Sequence, residues 1–314
     1  KVIAEILANT KTILIAELGG TNARLAITED GKSLKNRYET KLEDSKSAEQ
    51  LFRGYCSQIV GIPIRRAIIG VAAPMLGEEV KLTNSNLEFN KKKLETLFSK
   101  QLLILNDLEL QAHAIEALEQ KEIRRIGNVT ESKKGSKILV SPGTGLGLAG
   151  IVEGVVIFTE AGHLNIPSGL KEFKSIIKKF EKEKSRMPTF EDFLSGKGIN
   201  YIFCYLNASE VSNFSNEEIL ANTQDQNCLK TKDLIVYLLA VYLRYVALIW
   251  GATSGVYISG SMANTLLESI NHTTFRTEFE NSPTMKELLL KIPIYLIKEL
   301  DLGLRGGLQL ATKG

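Results

Sequence analysis

Sulfur and imidazole are scarce in this chain. Its 314 residues include three cysteines and three histidines. Cys56, Cys204 and Cys228 lie far apart and form no CxxC pair. That spacing excludes a disulfide framework and a structural zinc site, and it fits a reducing, cytoplasmic compartment. An excess of one charge is also missing: 39 Lys+Arg stand against 36 Asp+Glu, a formal net charge of +3. Nothing in that balance calls for nucleic acid or an anionic membrane as partner. There is no low-complexity segment and no repeat with a period of about 20–50 residues. The first residues, "KVIAEILANTKTILIAELGG", carry acids inside their apolar run and no cleavage-site pattern, so they do not read as a signal peptide.

Long apolar runs are nearly absent as well. The exception, "LIVYLLAVYLRYVALIW" at 234–250, is 17 residues long with Arg244 inside it. A spanning helix needs about 20 apolar residues and disfavours a central charge. The run is expected to be a helix buried between layers of a large domain, with no membrane involved. The length suits two domains of ordinary size.

What the chain does have is an alternation of strands, glycine turns and helices. Residues 12–28 read as two strands around "GGTN", and "NRYETK" as a third. "SKSAEQLFRGYCSQIV" has helical spacing, "RRAIIGVAAP" is a buried strand stopped by Pro74, and "NKKKLETLFSK" is a short helix with Asn90 as N-cap. "QLLILND" is a strand running into the helix "LELQAHAIEAL". After a polar loop at 127–137, "KILVSPGTGLGLAGIVEGVVIFTEAGH" gives three strands joined by turns. An amphipathic helix over 171–184 and a Ser215/Glu218 capping box follow. "GVYISGSMANTLLESI" is strand, turn and helix, "IPIYLIKE" a late strand and "LGLRGGLQLA" a final helix. This order is α/β.

Four glycine turns leave or follow apolar strands: "GGTN" at 19–22, "GTGLG" at 143–147, "EAGH" at 160–163 and "SGSM" at 259–262. Glycine in such a turn serves a positive φ, or it lets backbone N–H groups close around phosphate oxygens. Thr21 and Thr144 would add hydroxyls. Neither "GGTN" nor "GTGLG" fits GxxxxGK[ST], and neither heads a βαβ unit as GxGxxG, which excludes the ordinary P-loop and a dinucleotide site. Asn106 and Asp107 end a buried strand, where ligand sites of α/β sheets lie. Asp107 there is either a general base for a substrate hydroxyl or part of a helix cap. Glu160, His163 and Glu191 are polar groups able to hold sugar hydroxyls. Of the three histidines, only His163 lies in a glycine turn beside a carboxylate; a structural role or a metal site with carboxylates are its other readings.

Taken together, "LIAELGGTNARLAI", "LTNSNLEF", "LILNDLELQAHAI", "SPGTGLGLAGIV", "TEAGHLNIPSG", "FEDFLSGKGI", "GVYISGSMAN" and "IPIYLI…LGLRGGLQLA" come in the order found in bacterial glucokinases. The resemblance runs from about residue 12 to the end. It argues against the related repressor-and-kinase sugar family, whose members usually carry a Cys-rich zinc motif after the histidine. It implies a two-domain actin-like ATPase (ribonuclease H-like) fold with an interdomain cleft. The small domain would be 1–109 plus 302–314 and the large one 110–301. It further implies glucose or a similar hexose as substrate, ATP and Mg²⁺ as cofactors, a place in glycolysis, and a homodimer.

Carried over by position, Asp107 matches the catalytic base for the sugar's 6-hydroxyl. Asn106, Glu160, His163 and Glu191 match sugar-binding residues. Gly19, Gly20, Thr21 and Asn22 match the first phosphate-binding turn, and Gly143, Thr144, Gly145 and Gly147 the second. Gly260 and Ser261 fall in the adenosine-binding turn. Glu17 stands where the family has an aspartate facing the metal–phosphate region, and its longer arm suits a contact to the metal through water. Ala161 and Ser261 each replace a glycine, Leu87 a tryptophan and Leu108 a phenylalanine. Phosphorylation of a different hexose, use of a different phosphoryl donor, and sugar binding with weak turnover are the alternatives these departures raise. A regulator would carry a helix-turn-helix, for which the strand-rich start at residue 12 leaves no room.

Overall fold

The computed structural model describes residues 12–59, 62, 64, 66–73, 77–82, 85–98, 101–129, 134–298 and 301–312. The expectations for the first eleven residues, Pro74, Thr83 and Asn84 lie outside these. The chain forms two compact units, Lys1–Leu118 with Asp301–Gly314, and Glu119–Leu300. The sequence placed the divisions at 109/110 and 301/302. The helix that follows Asn106 packs under the terminal helix Leu302–Thr312: a Cβ on Gly306 would sit 1.7 Å from the Leu110 carbonyl oxygen.

In the first unit the strands are β1 (Ile13–Leu18), β2 (Asn22–Thr28), β3 (Lys35–Lys41), β4 (Arg66–Val71), β5 (Glu79–Lys81), β6 (Glu88–Asn90) and β7 (Leu102–Asn106). The helices are α1 (Ala48–Gln58), α2 (Lys91–Leu97) and α3 (Asp107–Ala112), besides the terminal helix. The main sheet has the order β3-β2-β1-β4-β7, antiparallel among the first three and parallel from β1 through β4 to β7. β1 is central, and both its faces are covered, which is why "ILIAEL" reads as nearly continuous apolar sequence. Leu14, Ala16 and Leu18 join the core that includes Phe52 and Tyr55 of α1, whereas Ile15 packs with Ala26 and Leu304. Asn90 caps α2 by accepting from the Lys93 N–H.

The second unit contains β8 (Ile123–Ile126), β9 (Lys137–Pro142), β10 (Leu146–Val152), β11 (Val155–Thr159), β12 (Gly255–Ile258) and β13 (Ile294–Ile297). Its helices are α4 (Lys174–Lys184), α5 (Phe190–Phe193), α6 (Gly196–Leu206), α7 (Asn216–Ala221), α8 (Gln226–Trp250), α9 (Ser261–Leu267), α10 (His272–Phe279) and α11 (Lys286–Leu289). The sheet order is β11-β10-β9-β12-β13-β8. β9, β10 and β11 are antiparallel, β9, β12 and β13 parallel, and β8 closes the far edge antiparallel to β13.

The apolar run at 234–250 is the C-terminal part of α8, whose start is capped by Asp225 accepting from the Cys228 N–H. By length and composition α8 could cross a membrane. It is instead the core helix of this unit, with side chains from Cys228 to Ala247 buried against the sheet and neighbouring helices. The charge inside the run is accommodated at the surface of that core, where the Arg244 guanidinium donates to the Glu278 carbonyl at 2.5 Å.

Candidate active site

The register of the parallel strands decides where the first set of residues lies. Leu18 is opposite Val71, and Val71 is opposite Asn106. Gly19 and Asp107 are therefore the first residues beyond the same carboxyl edge of one sheet. The Gly19 N–H donates to the Asn22 carbonyl at 3.0 Å and closes the "GGTN" turn, and Thr21 is exposed at its tip. Asn106 caps α3: its Oδ1 accepts from the N–H groups of Leu108 and Glu109 at 2.9 and 3.4 Å. The capping reading of "ND" falls to Asn106, and Asp107 is the first residue of the helix. Gly70, which the sequence did not single out, lets α3 lie on β4; a Cβ there would meet Leu110 at 2.7 Å and the Asp107 Cα at 3.2 Å.

Glu17 is buried, with 4% of its surface exposed. Its Oε1 accepts from Gln111 Nε2 at 2.5 Å and its Oε2 lies 3.7 Å from Arg24. Burial raises the carboxyl above its ordinary range, opposed by the Gln111 hydrogen bond and the Arg24 charge. Arg24 is shared with Glu39 at 2.9 Å and Asp301 at 3.8 Å.

The second set gathers at the end of β9. The Gly143 N–H donates to the Gly145 carbonyl at 2.8 Å, which closes "GTGLG", and Thr144 is exposed. The neighbouring turn after β12 is held to it by the Ser259 N–H on the Val140 carbonyl at 3.0 Å. Gly260 in that turn has φ +102°, and a Cβ there would lie 3.3 Å from both the Pro142 carbonyl and the Ser141 hydroxyl. Ser261, by contrast, is exposed at the start of α9, so its side chain costs nothing.

The sugar candidates of this unit converge on the same turn. Glu191 Oε2 accepts from the Leu146 N–H at 2.8 Å. Gly162 is buried, and a Cβ on it would come within 2.2 Å of the Leu146 carbonyl oxygen. Ala161 is tolerated because the close approach falls on Gly162. Glu160 and His163 are both more than half exposed, with Oε2 and Nε2 3.7 Å apart. Glu191 is further fixed by its neighbour Asp192, which forms a reciprocal capping box with Thr189 and a bidentate pair with Arg186 at 2.7 Å. Partial burial pushes the Asp192 carboxyl up, but the Arg186 and Thr189 bonds outweigh it and hold it below its usual range.

An open depression of about 510 Å³ adjoins this turn, lined by residues of α6 and α7 with Phe214 and Ser215. Gly196 joins the two features, because its N–H donates to the Gly143 carbonyl at 2.9 Å and it also lines the depression. Lys197, Asn200, Phe214 and Asn216 there escaped the sequence reading. The signal was the glycine pair in "SGKG", following "FEDF".

Among the described residues no group of three His, Cys, Asp or Glu side chains could enclose a metal ion, so His163 does not assemble a metal cage. Mg²⁺ brought by a nucleotide needs only one or two carboxylates besides phosphates and water. With Oε1 on Gln111 and Oε2 beside Arg24, Glu17 is not arranged for direct ligation.

Two α/β units, each with three antiparallel strands continued by two parallel ones and glycine turns at the sheet edge, define a sugar kinase of the actin-like ATPase fold. The chain belongs to the Glucokinase family, whose model matches residues 14–313. That family consists of ATP-dependent hexose kinases. A glucokinase of Neisseria meningitidis is 28% identical over 305 residues, covering 93% of this chain and 92% of the relative. One from Helicobacter pylori is 26% identical, covering 93% of each. Among solved structures, the glucokinase of an Antarctic psychrotroph has TM-score 0.78 at 25% identity, over 97% of this chain and 99% of that one. The Balamuthia mandrillaris glucokinase, solved with glucose, has TM-score 0.82 at 20% identity, over 100% and 96%. A Streptomyces griseus ROK-family glucokinase, solved with glucose and AMPPNP, shares the fold with TM-score 0.63 at 16% identity, over 96% and 100%.

Proposed function

We propose that this chain phosphorylates the 6-hydroxyl of glucose with ATP. The observation that carries the reading is the placement of Asp107 beside the "GGTN" turn at one sheet edge. Asp107 accepts the proton of the 6-hydroxyl as that hydroxyl attacks phosphorus. Asn106 spends its Oδ1 on the α3 cap, so its amide N–H₂ is the group left to donate to the sugar. Glu160, His163 and Glu191 take the remaining hydroxyls. Gly19, Gly20, Thr21 and Asn22 receive phosphate oxygens in the first turn, and Gly143, Thr144, Gly145 and Gly147 in the second. Gly260 and Ser261 flank the nucleoside. Mg²⁺ brought with ATP would neutralise charge on the transferring phosphoryl group, and Glu17 is the carboxylate that would hold it through water. The three free cysteines support a cytoplasmic, reducing location. Exposed apolar side chains on the edge strand β11 support a homodimer.

The test is a coupled ATP assay over a panel of hexoses with the purified chain and Asp107→Ala. Glucose-dependent turnover is expected, with a loss of about 100- to 10,000-fold in the variant and glucose binding retained. A variant that keeps most of the rate removes Asp107 as base. Turnover confined to another hexose removes glucose as substrate.

A further inference from the structure

The first unit contains a second polar group tied to the helix that opens with Asp107. Gln111 lies one helical turn after Asp107 on α3, on the same face. Its amide bonds the Glu17 carboxylate at 2.5 Å across 94 positions of sequence. Glu17 is the penultimate residue of β1, two positions before the first glycine of the turn. We propose that Gln111 is a positioning residue, whose amide holds the Glu17 carboxylate and thereby locks the α3 base helix to the strand that feeds the "GGTN" turn. The proposal rests on the glucokinase reading given above.

Three observations make the link specific. A buried carboxylate requires donors, and beside Gln111 it faces Arg24, at 3.7 Å and with a quarter of its surface in water. The carboxylate has no alternative position toward the terminal helix, because the space next to Gly303 is already filled by it; a Cβ there would stand 2.4 Å from the Glu17 Cδ. At the other end α3 is equally constrained, with Asn106 capping its first turn and Gly70 beneath it. A shift of the Glu17 arm is therefore passed either to the turn or to α3. Both carry groups whose misplacement by about 1 Å costs on the order of 100-fold in rate.

The experiment is a double-mutant cycle on the full chain with Gln111→Leu, Glu17→Met and both together. Methionine and leucine match the shapes while removing the polar pair, so the double variant keeps the packing and serves as the folded reference. Initial rates are measured against glucose and MgATP, with melting temperatures alongside. Expected is a fall in kcat of about 10- to 100-fold for Gln111→Leu, glucose KM within about two-fold, and less than about two-fold further loss when Gln111→Leu is made on Glu17→Met. An equal loss in both backgrounds overturns the proposal, because Gln111 then acts independently of Glu17. Unchanged kcat with a lowered melting temperature overturns it too, since the bond is then structural only. A wild-type chain without turnover overturns the functional reading instead. The cycle is then read in MgATP-induced thermal stabilisation, where the same non-additivity is expected and additive effects refute the coupling.

Discussion

Glu17 is one methylene longer than the aspartate expected at its position, and the first unit uses that length. The carboxylate reaches Gln111 on α3 and occupies the space left by the missing side chain of Gly303. Glu17→Asp withdraws the carboxylate by about 1.5 Å, beyond reach of a bond that now measures 2.5 Å. The half-buried Gln111 amide loses this acceptor, and a hydrogen bond to a charged group is worth about 1.5–3 kcal/mol. Glu17→Asp is therefore expected to lower both the melting temperature and kcat, measured by thermal denaturation and the coupled assay, although it installs the residue usual in the family. A higher kcat would show that the longer arm is a handicap. Glu17, Asn106 and Asp107 were legible because each stands beside a glycine turn or at a strand end. Their partners Gln111 and Gly303 were not, because only the parallel register and the lie of the terminal helix bring such distant positions together.

At the level of the element, α5 is a four-residue helix whose placement rests on its cap. The Thr189/Asp192 box and the Arg186 pair fix the turn that presents Glu191 to Leu146. Asp192→Asn is expected to cost about 1 kcal/mol, the usual worth of such a cap, because the half-exposed Arg186 adds little through screened charge. The pH dependence has a definite sign. The folded carboxyl is held below its unfolded value of about 3.9, so its stabilisation is present above about pH 4 and fades as pH falls through the lower folded value. Melting curves of wild type and Asp192→Asn should differ most near neutrality and converge in acid, with glucose KM raised severalfold in the variant at neutral pH. The Ser215/Glu218 box was visible in the sequence and this one was not, because the usual signature has Glu or Gln at the third helical position and here Asp fills it. β8 was missed for a related reason. "IRRI" carries two arginines, as an edge strand can, and Arg124 uses its charge to bond the Leu267 and Glu268 carbonyls. The β5–β6 hairpin has strands of three residues, too short for any periodicity to register.

On the scale of the whole chain, both units repeat one strand plan, three antiparallel strands followed by two parallel ones. That repetition has no counterpart in the residues, because a strand order is satisfied by any apolar sequence with the right period. The edge left uncovered by the plan is equally hidden from a linear reading. In the second unit β11 is the sheet edge, and Val155 and Ile157 on one of its faces are 60% and 47% exposed. Ile157 pairs with Gly150, whose missing side chain is replaced by the Trp250 ring, and Ile249 beside that ring is 66% exposed. Apolar side chains are thus exposed at both the strand edge and the helix end, and an apolar edge strand is a template for a second strand. A second copy of the chain, pairing β11 with β11, would cover it. Light scattering coupled to size exclusion is expected to give twice 34.7 kDa for the wild type and 34.7 kDa for Ile157→Glu/Ile249→Glu. The substituted side chains are solvent-facing, so the variant should keep the wild-type melting profile at low concentration, where a dimer would dissociate. Equal masses for the two proteins would place any dimer contact elsewhere, and a monomeric wild type across the micromolar range would remove the dimer.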